Sequence, residues 1–358
     1  MLFSLSFHPM ISLFHSITNK AGKLKWMLPV FFCLFFCGCN VREVNRTDTG
    51  MGTVLHIRLY GQGDCDGVSG EILELVREME SEEISWRNEN SVIGRLNNGH
   101  QDAEVPDLLY ESLVTCKKLS KDSKGAFDIT VGKLSGLWNI DSYSGGRTDM
   151  VFPLPTAGQI QEAMLNCGYQ KLILGEKNVL LEGGIRLDLG AIGKGMALDR
   201  IQTLLEEQHD GVSGGVISLG GSILTWGTKQ GELPWQIGIV DPSDTTSYVG
   251  TLSLSEAWCV STSGDYERYV EVDGVRYHHI LDPRTGYPAN SGVRSVTVLS
   301  KSGLLSDALS TACFVLGIED GMKLAEKYNA EILFVDERGE LHLSEGMKPY
   351  FCLWNEKE

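Results

Sequence analysis

Positive charge is what this chain has too little of: 31 Lys and Arg face 47 Asp and Glu, giving a net charge of −16. A phosphate backbone is bound through a basic field, so this balance excludes a nucleic-acid surface. Any anionic ligand must instead be held locally, by a metal, a lysine or helix ends. No metal-ligand or framework spacing links Cys65, Cys116, Cys167, Cys259, Cys313 and Cys352, which therefore read as core thiols, and no disulfide pairing follows from their positions. Internal repeats and low-complexity linkers are also absent. The apolar run at residues 27–36 is too short to span a bilayer, which takes about 20 residues.

That run has another use. Lys20, Lys23 and Lys25 precede it and it closes on Cys37-Gly38-Cys39-Asn40, the charge-then-apolar order of a secretory signal. A small residue directly before a cysteine resembles a bacterial lipobox, which predicts cleavage before Cys39 and lipidation of its thiol. The expected organisation is a leader over 1–39, a tether over 40–50 and one domain over 51–358. The expected location is an exported, membrane-anchored lipoprotein facing the periplasm or the outer face of a bacterial inner membrane.

Within the domain, alternation over 51–60 predicts a strand. Ile72, Leu73, Val76 and Met79 share one helix face, and Leu109, Leu113, Cys116 and Leu119 another. Strands are expected near 171–175, 178–182, 185–189, 215–219, 235–240, 248–254, 257–261, 267–272, 276–281 and 294–299. Helices are expected over about 196–207, 304–316 and 318–328, before a last hairpin near 331–343. Strand runs interspersed with helix pairs predict an α+β fold rather than regular βαβ winding.

Several stretches carry chemistry-bearing residues. Leu187 to Gly195 (LDLGAIGKG) has three glycines and Lys194 ahead of a helix, and reads as a phosphate-handling loop. It is not a P-loop, because Gly190 and Gly193 are too close and Gly195 follows the lysine; a glycine-rich turn with a surface lysine fits the same residues. In Ser306-Asp307-Ala308-Leu309-Ser310-Thr311, Asp307 and Thr311 stand four apart and share a helix face, where oxygen ligands suit magnesium rather than zinc. A capped helical turn is the other reading. His279 precedes the turn signal Asp282-Pro283-Arg284-Thr285-Gly286 and is a candidate base, though a lone histidine is as readily structural. Gly125 to Gly132, with Asp128, reads as a ligand-lining loop or a buried turn. Ser261 to Arg268 is a polar glycine turn, and Trp86 stands alone in a polar segment.

Taken in order, these stretches resemble the ApbE family, the FAD:protein FMN transferases. The matching runs are Met51-Gly52-Thr53, Gly125 to Thr130, Asp188 to Gly195, Thr262-Ser263-Gly264-Asp265-Tyr266, His279 to Gly286 and Asp307 to Thr311. The resemblance implies an ApbE-like fold of mixed, mainly antiparallel sheets with flanking helices. It implies FAD against Met51, Trp86, Ala126, Phe127, Asp128, Asp188, Lys194 and the backbone near Leu281. It also implies magnesium held by the Ala191 carbonyl, Asp307, Ser310 and Thr311. The implied reaction is magnesium-dependent transfer of FMN from FAD to a Thr or Ser hydroxyl of an acceptor, a membrane redox subunit, with release of AMP and with His279 and Asp307 catalytic. Hydrolysis of FAD to FMN and AMP, and FAD binding without chemistry, are the alternatives. Trp86 stands where the family often has Tyr, and Gly220-Gly221-Ser222 where it has Gly-Gly-Asp, so no role is assigned to Ser222.

Overall fold

A computed structural model describes residues 41–100, 104–144, 151–176, 178–207, 211–229 and 233–354. The leader and Cys39 lie outside the described residues. The first departure from expectation follows immediately. Residues 42–50, read as a tether, form strand β1 (Arg42–Gly50), paired antiparallel along its whole length with β2 (Thr53–Gly61). As an edge strand β1 buries little, so its residues are polar and show no alternation. The two strands are joined by Met51 and Gly52, with φ of 51° and 73°, the left-handed pair a two-residue type I′ turn requires.

The chain continues through α1 (Cys65–Glu78), a π-helical turn (Met79–Ile84), α2 (Val92–Asn97), α3 (Asp107–Asp122), α4 (Gly132–Trp138) and α5 (Ala157–Leu165). A hairpin, β3 (Leu172–Leu174) and β4 (Val179–Leu181), leads to α6 (Gly193–Glu207). Seven strands follow: β5 (Val212–Leu219), β6 (Ser222–Gly227), β7 (Trp235–Asp241), β8 (Asp244–Leu254), β9 (Trp258–Gly264), β10 (Tyr269–Val272) and β11 (Val275–His278). Last come β12 (Val293–Ser300), α7 (Gly303–Leu316), α8 (Ile318–Lys327), β13 (Glu331–Asp336), β14 (Leu341–Leu343) and β15 (Phe351–Leu353).

The main sheet has eight strands in the order β1-β2-β5-β6-β9-β12-β13-β14, all antiparallel, and β15-β8-β7 form a smaller antiparallel sheet. The expected α+β class holds. β6 and β15 were not anticipated, and residues 185–189, expected as a strand, are extended with a single parallel bridge from Arg186 to Val131. Among the described residues no helix is long and apolar enough to cross a membrane.

Burial follows the strand positions. In β2, Leu55, Ile57 and Leu59 are buried while His56 and Arg58 face solvent, the alternation of a half-covered sheet. β12 and β13 lie at the centre of the core and are buried almost throughout. α7 is likewise buried along nearly its whole length, each large apolar side chain contributing about 1.5–3 kcal/mol.

The packing of α6 on α7 positions the site. A Cβ on Gly195 would fall 2.1 Å from the Gly303 carbonyl oxygen, and one on Gly303 would fall 2.3 Å from that of Gly195. The two backbones therefore touch. Asp199 of α6 locks the contact by accepting from Ser302 Oγ at 3.1 Å and from the Leu304 amide at 2.9 Å, and from the Gly303 amide as well. A carboxylate there satisfies orphan amides and complements the helix dipole of α7.

Candidate active site

Asp307, on the second turn of α7, is buried and is the hub of a polar cluster. Its carboxylate accepts from the Gly195 amide at 3.0 Å and from Ser222 Oγ at 3.2 Å, and Lys194 Nζ lies 3.4 Å away. The Gly195 bond has a structural consequence. Gly195 is the third residue of α6, and its amide is one of the donors at a helix start that have no partner within the helix. Here it goes to Asp307, and among the described residues no backbone amide takes the Ala191 carbonyl. A carbonyl without an amide partner, in the loop that leads into α6, is the kind of oxygen a hard cation uses.

The hydroxyls of α7 divide into two kinds. Ser310 is fully buried, donates to the Asp307 carbonyl at 2.8 Å and lies 2.8 Å from Ser263 Oγ. Its hydroxyl proton is thus committed within the protein. Thr311 is less buried, and its Oγ1 lies 3.3 Å from Ser263 Oγ. The donor set of Asp307, Thr311 and the Ala191 carbonyl is all oxygen, which fits magnesium and not a thiophilic metal. Ser310 braces this set through Ser263 and the helix backbone.

The two neighbouring histidines have opposite hydrogen-bonding arrangements. His278 Nε2 meets the Ala289 carbonyl at 2.9 Å, and its Nδ1 accepts from the Ile280 amide at 3.3 Å. Both nitrogens are satisfied, so His278 is structural. His279 Nδ1 faces the Arg268 carbonyl at 3.2 Å, and the same carbonyl accepts the His279 amide at 3.0 Å. A carbonyl only accepts, so the proton sits on Nδ1 and the Nε2 lone pair is left over. Burial, together with the nearby Arg268 charge, holds the His279 pKa well below the usual histidine value, so the ring is neutral.

The residues implied to face FAD come from several separate stretches. Met51 donates its amide to Glu80 Oε2 at 2.7 Å and packs against the core at the left-handed turn position. Trp86 is partly buried and carries the Arg87 guanidinium 4.2 Å from its ring centroid. Ala126 and Phe127 have their side chains in the core, so only their main chain can meet a ligand. Asp128 accepts the Thr130 and Tyr169 amides, each at 2.8 Å, the buried-turn role, and burial raises its pKa. It also lines a groove of about 490 Å³ with Lys121, Lys124, Tyr169 and Arg284.

Asp188 donates its amide to the Ile129 carbonyl at 2.8 Å and accepts the Gly190 amide at 2.9 Å, which ties the glycine loop to the Gly125–Thr130 run. Leu281 bridges to Pro288 across the Asp282 turn. That turn is anchored from α4, where Trp138 Nε1 donates to the Gly286 carbonyl at 2.8 Å.

Three residues escaped the sequence reading. Ser222, given no role, holds Asp307. Asp199 fixes the start of α7. Glu267 lies over the Gly221 backbone, where a Cβ would fall 2.9 Å from its Oε1, and burial raises its pKa against the opposing pull of Lys194 and Arg268. Gly220-Gly221 was the one signal for Ser222, since a tight turn is needed to bring β6 under α7.

Oxygen donors for a hard cation, an adjacent lysine and a neutral histidine define a class: enzymes that transfer groups at phosphorus by charge neutralisation and positioning. The ApbE family model matches residues 51–334, and the chain belongs to the ApbE family. It is 32% identical to an FAD:protein FMN transferase of Treponema pallidum over 89% of this chain and 94% of that one. To the Vibrio cholerae FAD:protein FMN transferase it is 31% identical over 91% and 98%. Among solved structures, the ApbE protein of Thermotoga maritima superposes with a TM-score of 0.76 at 34% identity, covering 86% of this chain and 99% of that one. The flavin transferase ApbE of Vibrio cholerae gives 0.76 at 28% identity, covering 87% and 99%.

Proposed function

We propose that this protein is a magnesium-dependent FAD:protein FMN transferase, which moves FMN from FAD to a Thr or Ser hydroxyl of an acceptor protein and releases AMP. The capping of α6 by Asp307 carries the reading, with the Gly195 amide 3.0 Å from its carboxylate. That bond ties the loop carrying the Ala191 carbonyl, which no backbone amide takes among the described residues, to the helix of Asp307 and Thr311, and these three would hold the metal. Magnesium, when bound there, supplies charge neutralisation at the pyrophosphate. Lys194 adds a second positive charge from the side chain, already turned toward Asp307. His279 Nε2 takes the proton as the acceptor oxygen bonds to the FMN phosphorus and the bond to the bridging oxygen breaks, and AMP leaves with that oxygen.

Relatives that carry out this reaction by name support the reading. The lipobox-like Cys39 supports placement as an exported, membrane-anchored lipoprotein, which would act on a membrane redox subunit. Incubating the protein with FAD, magnesium and a candidate acceptor tests it. A covalent FMN mass on the acceptor with equimolar AMP is expected. AMP with no labelled acceptor would replace transfer by FAD hydrolysis, and no AMP at all would reduce the protein to a flavin binder.

A further inference from the structure

We propose that Asp141 is a positioning residue that serves both the flavin platform and the base, a role that rests on the reading of FAD as substrate. Asp141 lies in the single 3-10 turn Ile140–Ser142, which begins where α4 ends at Asn139 in a left-handed conformation. The preceding Trp138 pins this segment, with its indole on the Gly286 carbonyl and its ring stacked 5.8 Å from Tyr277. Asp141 is therefore presented from a fixed base.

Each carboxylate oxygen of Asp141 takes one guanidinium. Oδ2 accepts from Arg87 Nη2 at 3.0 Å, and Oδ1 accepts from Arg268 Nη1 at 2.8 Å. These partners lie 54 and 127 residues away in sequence, so the pairing is a tertiary one. Arg87 is held with its charge 4.2 Å from the Trp86 ring centroid, a cation–π contact, and Trp86 also lines a pocket with Asn97, Lys133 and Arg186. Arg268 is the residue whose carbonyl sets the His279 tautomer. One side chain thus orders the ring on which a flavin would stack and the strand end that presents the base.

Stability does not explain the arrangement. The Arg87, Arg268 and Asp141 side chains are 57%, 43% and 36% exposed, and ion pairs that open to water contribute little to stability. What the pair of bridges supplies is geometry, through two-sided acceptance that a carboxylate offers and an amide does not: Asn has one accepting atom and presents donors on the other side.

The test uses the full chain and separates binding from turnover. FAD affinity is measured by titration, and the first-turnover flavinylation rate is measured at saturating FAD. Asp141→Asn should weaken FAD about 3- to 10-fold and slow the saturated rate by a similar factor, with little change in thermal midpoint. Arg87→Gln should reproduce the affinity loss alone and Arg268→Gln the rate loss alone, while Asp141→Glu should restore most of both. An Asp141→Asn protein with wild-type affinity and rate would overturn the inference, as would equal losses in both parameters from each arginine variant. Failure of the wild-type protein to bind FAD would instead refute the functional reading, so the two failures are distinguishable.

Discussion

The floor and the rim of the site are built on opposite principles. At the floor, Asp307, Ser222 and Ser310 are buried to 4%, 1% and 0% exposure, and their bonds run to a backbone amide of α6, a carbonyl of α7 and hydroxyls of β6 and β9. At the rim, Arg87, Asp141 and Arg268 are joined by long side chains in solvent. Buried polar groups left without partners cost the full desolvation penalty, so the floor is fixed by the fold itself. The rim costs little to rearrange. On the proposed reading, the floor would be set before magnesium arrives, whereas a platform that admits FAD and then an acceptor protein would benefit from side chains that can adjust.

This contrast is sharpest at Asp307. Replacement by Ala removes the carboxylate around which Lys194, Ser222 and the Gly195 amide are arranged, and flavinylation should fall by about 10³-fold or more. Full activity would remove Asp307 from the site. His279→Ala should cost about 10²-fold, with stability unchanged because the ring makes one weak bond. Its depressed pKa also fixes a sign. The neutral ring is the base, so wild-type kcat/KM should hold as pH falls through 6.5 and decline only below it, and the variant should lack that limb; a limb centred above 6.5 would contradict a desolvated base.

Gly195→Ala tests the floor as structure. A Cβ 2.1 Å from the Gly303 oxygen forces α6 off α7, and the urea midpoint should drop by the equivalent of about 1–3 kcal/mol. Activity should fall with it, because the same movement withdraws the Gly195 amide from Asp307. Ser222→Ala is the mildest change, about 1 kcal/mol. It should raise the magnesium concentration needed for half-maximal rate, and no change would show that Ser222 is only packing.

The residues of the floor were largely legible in sequence, but their reason was not. The i, i+4 spacing of Asp307 and Thr311 shows a shared face whatever the fold. Gly195, in contrast, was read as making room for a ligand, and what it makes room for is Gly303, 108 positions on. α6 was expected to begin at residue 196 because Gly-Lys-Gly is poor helix sequence, yet the close approach to α7 selects glycine and the helix starts at Gly193. Ser222 was hard to find for a similar reason: beyond the Gly220-Gly221 turn before it, a serine on a strand gives no sign of the segment that arrives over it. β1 was hidden by its polarity, and Asp141 by the length of the loops between it and its two arginines. Local periodicity survives in sequence, and tertiary pairing does not.

Met51 leads to a different kind of conclusion. A type I′ turn favours Asn, Asp or Gly at its first central position, and Met with φ of 51° is held there at about 1–3 kcal/mol of strain. Any scheme that improves this protein by local backbone preference would replace it, and the β1–β2 hairpin would become sturdier. The same replacement would delete a large apolar side chain that packs against the core and that the family resemblance sets against FAD. Position 51 therefore marks where an engineer seeking robustness and an engineer seeking turnover would choose opposite residues.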